Sequence, residues 1–154
     1  MGKVYAYYRC EWNSDEKLPI IFRRAIYDAS ESDKNLLLFI NKKSDTSNLE
    51  KVLSKNKFSY NHKSKTAEQI INKLIEERSL TDESTKVKIS LESCKTLDKY
   101  EDDFDIILAL FPSSDMLNQL SKLQNFNVVI CIGYGEHLDK WITKHNAKPV
   151  VFND

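Results

Sequence analysis

Residues 104–136 read FDIILALFPSSDMLNQLSKLQNFNVVICIGYGE, and how this stretch is understood decides the fold. Two near-continuous apolar runs each end in small or polar residues, and a segment with helical spacing lies between them. The order is strand, helix, strand. Strands without polar alternation are buried on both faces, which calls for a parallel sheet flanked by helices. The expectation is therefore an α/β chain of the three-layer Rossmann-like or flavodoxin-like kind. Its sheet would be mainly parallel, of about five or six strands, with helices on both faces. Such a platform carries many chemistries, so function has to be argued from side chains at a site.

Working outward, the 154 residues fit one domain spanning 1–154, long enough to bury a core without disulfides or metals. Hydrophobic residues make up 41% and charged residues 30% of the chain, an ordinary balance for a folded globular protein. The 23 basic and 23 acidic residues cancel, so no net field draws in phosphate backbones, and nucleic acid is not the expected partner. No apolar run approaches the length that spans a bilayer, and the first residues lack a leader pattern. The expected location is the cytoplasm. Cys10, Cys94 and Cys131 are odd in number and far apart, which argues against a disulfide framework and gives no spacing for a metal.

The rest of the chain supplies further elements. Lys3 to Arg9 is aromatic and β-branched and reads as the first strand. A helix begins at Leu18-Pro19 and runs to about Ser30, with Ile20, Ile21, Ala25 and Ile26 toward the core. Asn35 to Ile40 is the second strand. Ser47 and Glu50 have capping-box spacing before a short helix to about Lys55, and Thr66 and Gln69 repeat it before the apolar stripe of Ile70, Ile71, Leu74 and Ile75. Residues 56–65, between those helices, contain no acid and read as an exposed, lysine-rich excursion. Leu80 to Thr85 reads as a turn, Val87 to Leu91 as a third strand, and residues 94–103 as an acidic connection. Past the opening stretch, Glu136 to His145 is an amphipathic helix and Lys148 to Phe152 a short sixth strand beginning with a proline.

In an open α/β sheet, ligands bind outside the carboxyl ends of the strands, next to the point where strand order reverses. That rule selects the loops Arg9 to Asn13, Asn41 to Ser47, Glu92 to Thr96, Pro112 to Asp115 and Gly133 to His137. Gly133 and Gly135 permit a tight turn or close backbone approach, but Leu138 stands where a dinucleotide fingerprint has its third glycine. No cofactor is indicated. Ser113 and Ser114 offer hydroxyls at a helix start, while Asp115 and Glu136 place a carboxylate in the first turn of two helices, complementing the helix dipoles and repelling a bare phosphate. Arg9 ends the first strand, where it could clamp an anion or pair with a neighbouring acid. Glu92 follows the third and adds a carboxylate that could do general acid and base work if buried, although a charged residue at a strand end is expected to be solvated. Cys131 lies inside an apolar run and reads as core packing, with His137 too tenuous a partner to make it a nucleophile.

Two functions of different class follow. The first is a small polar ligand, such as a nucleoside or nucleotide, held by Arg9, Ser113, Ser114, Asp115, Gly133, Gly135 and Glu136, with catalysis left unassigned. The second is a non-enzymatic module of immunity, antitoxin or regulatory type. It would dock a protein partner through the lysine-rich excursion or the acidic residues 98–105.

Overall fold

The computed structural model describes residues 3–10, 16–43, 46–97 and 103–151. In chain order the elements are β1 (Val4–Arg9), α1 (Leu18–Ser30), β2 (Asn35–Ile40), α2 (Ser47–Leu53), β3 (Phe58–Tyr60), β4 (Lys63–Lys65), α3 (Ala67–Glu77), β5 (Ser79–Thr81), β6 (Lys88–Ser93), β7 (Phe104–Leu110), α4 (Ser114–Lys122), β8 (Phe126–Gly133), α5 (Glu136–His145) and β9 (Lys148–Pro149). The protein is α/β, with a seven-stranded sheet in the order β5-β6-β2-β7-β8-β1-β9. All its neighbours pair in parallel except β5 and β6.

Every side chain of β7 is buried, as the absence of alternation in 104–110 requires. Fully burying each leucine or isoleucine contributes about 1.5–3 kcal/mol, which makes this strand the anchor of the sheet. Strand residues divide alternately between two hydrophobic clusters. Leu36, Leu38, Ile106 and Leu108 join residues of α1, α2 and α3 in one. Leu37, Phe39, Ile107 and Ala109 join residues of α4 and α5 in the other. Asp105 is the polar member of β7. Its carboxylate accepts the Asp33 backbone N–H at 3.3 Å and the Asn127 side-chain N–H at 3.2 Å, linking the starts of three strands.

The helices follow their sequence signals closely. Pro19 sits in the first turn of α1, whose bounds match the predicted ones, although Ile20 is exposed while Ile21, Ala25 and Ile26 are buried. Thr66 and Gln69 form the capping box of α3 reciprocally, and Ile75 lies outside the buried stripe. The box expected at Ser47 does not form. Thr46 is the N-cap of α2, so Glu50 stands one position too far along to reach back, and the helix ends at Leu53.

Four readings of strands and loops are corrected. Residues 79–81 form β5, which pairs antiparallel along β6 at the edge of the mostly parallel sheet and helps bring it to seven strands rather than the five or six expected. The third predicted strand is β6, shifted to Lys88–Ser93, and the last strand is Lys148–Pro149, without Val150 and Val151, while Phe152 lies outside the described residues. Residues 56–65 hold a hairpin in which Phe58 pairs with Lys65 and Tyr60 with Lys63. Phe58 is buried beside Phe22, with ring centroids 5.8 Å apart. The hairpin is moored to the turn after β5, where Asp82 accepts the Ser59 N–H at 2.9 Å and Glu83 the His62 N–H at 2.7 Å. No described helix is long and apolar enough to cross a membrane.

The hairpin loop gives the first prediction. Its two linking residues, Asn61 and His62, have φ of 54° and 62°, the left-handed pair that a two-residue connection demands and that Asn-Gly fits best. Replacing His62 by glycine should raise stability by up to about 1 kcal/mol in urea unfolding by relieving side-chain strain. A drop of similar size would show that the loop does not hold this conformation.

Candidate functional site

The register brings the carboxyl ends of the parallel strands to one edge: Arg9 stands opposite Gly133, Leu110 opposite Ile132, Phe39 opposite Ala109, and Ile40 opposite Ser93. From β2 the chain passes to its neighbour β6 through α2 and α3. From β7 it passes to its neighbour β8 on the other side through α4. β2 and β7 are adjacent, so their outgoing connections diverge, and the gap between them is the topological switch point.

Three loop residues meet there. The Ser113 hydroxyl donates to Asn41 Oδ1 at 3.4 Å, and the Cys94 thiol reaches the same oxygen at 4.0 Å. Gln119 of α4 donates to the Cys94 carbonyl at 3.0 Å, fixing the loop after β6 against the helix. Ser113 is also the N-cap of α4, its oxygen accepting the Met116 N–H at 3.2 Å. One hydroxyl thus serves both helix start and crevice.

The turn beside it is strained. Phe111 has φ 48°, in the left-handed region that bulky residues avoid. It immediately precedes a proline. Such conformations cost on the order of 1–3 kcal/mol and persist where surrounding structure enforces them. Here the Phe111 N–H donates to the Ile132 carbonyl at 2.6 Å, and the exposed ring of Tyr134 lies edge-on to Phe111 at 6.1 Å. An accessible aromatic ring therefore lies against the turn that leads from β7 to Ser113.

The other predicted residues are placed as follows. Arg9 donates to Asp139 of α5 from Nε at 3.0 Å and lies over the Tyr7 ring, with both members of the ion pair about half exposed (52% and 53%). The hydrogen bond and charge of Asp139 raise the guanidinium pKa above its ordinary value. Arg9 is thus engaged with Asp139, the neighbouring-acid alternative, and not with Asp115 or Glu136. Ser114, Asp115 and Glu136 are exposed in the first turns of α4 and α5. Cys131 is fully buried in the core, and burial pushes its thiol pKa far up, so it is no nucleophile. Residues 11–13 of the first loop lie outside the described residues.

Glu92 is corrected from a solvated carboxylate to a fully buried one. Arg78, which closes α3 in a left-handed conformation, donates to its Oε1 from Nε at 2.9 Å and from Nη2 at 2.7 Å, and Lys43 Nζ stands 3.9 Å away. A carboxylate at a strand end looks solvated until β5 folds back and delivers its partner. Two bases already claim it, so it is a structural ion pair at the rim of the site. The sequence reading passed over Asn41, Phe111 and Tyr134 as individual residues and weighed Cys94 only together with the other two cysteines. Only the Phe111-Pro112 dipeptide carried a local signal, since a residue before proline is restricted.

Comparisons with protein-family models, curated proteins and solved structures find no match to this chain.

The glycines serve the turn in different ways, which gives the second prediction. A methyl group on Gly133 would stand 3.3 Å from Phe111 Cα and 3.4 Å from Pro112 Cδ, atoms that cannot swing aside. Gly135 has open space but φ 101°, a conformation almost confined to glycine. Gly133→Ala should cost about 1–3 kcal/mol by overpacking, and Gly135→Ala a comparable amount by strain, both read by urea unfolding. Unchanged stability in either variant would release that glycine from its structural role.

Proposed function

We propose that the carboxyl edge binds a small, uncharged, hydroxyl-bearing molecule of nucleoside type, on a platform used in the Rossmann-like or flavodoxin-like manner. The observation that carries this reading is the meeting of Asn41, Cys94 and Ser113 at the switch point between β2 and β7. Asn41 and Ser113 supply donors and acceptors suited to ribose hydroxyls, and Tyr134 supplies a flat face for a ring. The carboxylates of Asp115 and Glu136 favour hydroxyls and amines over a bare phosphate, and Arg9 is already neutralised by Asp139. No residue is assigned a catalytic role.

A second reading draws on the hairpin. Moored through Asp82 and Glu83, it presents the exposed Lys57, Lys63 and His62 on an ordered support, a preorganised surface for an acidic protein partner. The acidic alternative loses Asp105, which is buried in the sheet and not free to meet a partner.

A thermal-shift series separates the two. A nucleoside present at 100 times its Kd should stabilise the protein by about 2.7 kcal/mol and raise Tm by several degrees. The shift should be smaller for the corresponding monophosphate and absent in the Asn41→Ala/Ser113→Ala double variant. If neutral nucleosides and sugars leave Tm unchanged while an acidic peptide raises it in a way abolished by Lys57→Glu/Lys63→Glu, the hairpin reading replaces the first.

A further inference from the structure

One concavity outside the candidate site is the groove between α4 and α5. Helical spacing builds its walls: Ser114, Asn118 and Ser121 recur along one side of α4. On α5 the facing side carries His137, Lys140 and Lys144. Leu117 and Trp141 contribute apolar surface, and the space measures about 160 Å³.

Charge is sorted along both helices. Asp115, Glu136 and Asp139 are not among the residues lining the groove, and Asp139 is turned to Arg9 on β1. Lys140 and Lys144 have no ion-pair partner among the described residues. The groove is basic and hydroxyl-lined in a chain whose net charge is zero.

An independent observation points the same way. Trp141 is 3% exposed, and its indole Nε1–H has no hydrogen-bond acceptor among the described residues. The Tyr5 and His145 rings pack around the indole, with centroids 5.9 and 5.3 Å away, while Ser121 Oγ pairs with His145 Nε2 at 3.1 Å. A tryptophan so deeply placed normally finds an acceptor, because an unmet buried donor is costly. An anion lodged between the lysines could supply one.

We propose that the α4–α5 groove is a binding site for a small organic anion, a carboxylate or phosphate monoester on a body no larger than one ring. The size follows from the volume, since a cavity of about 150 Å³ holds benzene. Lys140 and Lys144 hold the anionic group, the Ser114 hydroxyl and Asn118 orient it, the Trp141 N–H donates to one of its oxygens, and the body lies on Leu117. The site uses neither Asn41 nor Ser113, so it stands or falls apart from the proposed nucleoside crevice.

The indole N–H is itself the probe. In proton–nitrogen correlation spectra the chain has two indole signals, from Trp12 and Trp141, assigned by Trp141→Phe or, should that variant not fold, by backbone-linked spectra of the intact protein. Titration with phenyl phosphate and with benzoate should move the Trp141 signal downfield and saturate with Kd of about 1 mM or tighter. The stronger of the two titrants identifies the anion class. Benzyl alcohol should leave the signal in place, Lys140→Gln and Lys144→Gln should each weaken binding roughly tenfold, and Asn41→Ala should leave it unchanged. A Trp141 signal unmoved by either anion, moved equally by benzyl alcohol, or indifferent to the lysine substitutions overturns the proposal.

Discussion

A strand with no solvent-facing side imposes a requirement on everything around it, and β7 is such a strand from Phe104 to Leu110. Both faces must be covered by apolar atoms and both edges hydrogen-bonded, since unpaired buried backbone groups are as costly as lost hydrogen bonds. β2 and β8 satisfy the edges, and the clusters containing α1 to α3 and α4 to α5 satisfy the faces. The one charged side chain in the strand, Asp105, is accepted only because Asp33 and Asn127 donate to it at the amino end. The carboxyl end emerges, through the strained Phe111, into the crevice where Asn41, Cys94 and Ser113 meet. Fold and candidate site therefore share one cause.

Local signals sufficed where local physics decides. The unbroken apolar runs located β2, β7 and β8, proline and periodicity set α1, and Thr66 with Gln69 opened α3. They failed where a partner distant in sequence decides. Ser79 to Thr81 is too short and polar to declare itself a strand, and becomes one because β6 offers an edge. Phe58 gives no sign in its basic surroundings that it will seat against Phe22. Ser47 and Glu50 had the right spacing, but Thr46, one residue earlier, took the cap.

The site was legible at the same level as the fold. Choosing loops at strand ends was correct as geometry, because parallel register delivers them to one edge. Choosing residues was harder. Arg9 is drawn to Asp139 rather than to the crevice, and Glu92 is buried by Arg78, a residue 14 positions earlier that a linear reading leaves in a helix end. The alternation His137, Lys140, Trp141, Lys144 was visible as an amphipathic helix, yet nothing in α5 alone shows that α4 opposes it with hydroxyls across a groove.

The central claim is that β7 lies between β2 and β8, parallel to both. Backbone proton contacts measured by nuclear Overhauser spectroscopy on labelled protein test it directly. The account predicts sequentially offset amide-to-α-proton contacts in the parallel pattern, linking the Leu37 region of β2 to the Ile107 region of β7, and the latter to the Val129 region of β8. Direct α-proton to α-proton contacts of the antiparallel kind, or contacts from β7 to β1 or β6 in place of β2, would contradict the strand order and remove the switch point with it.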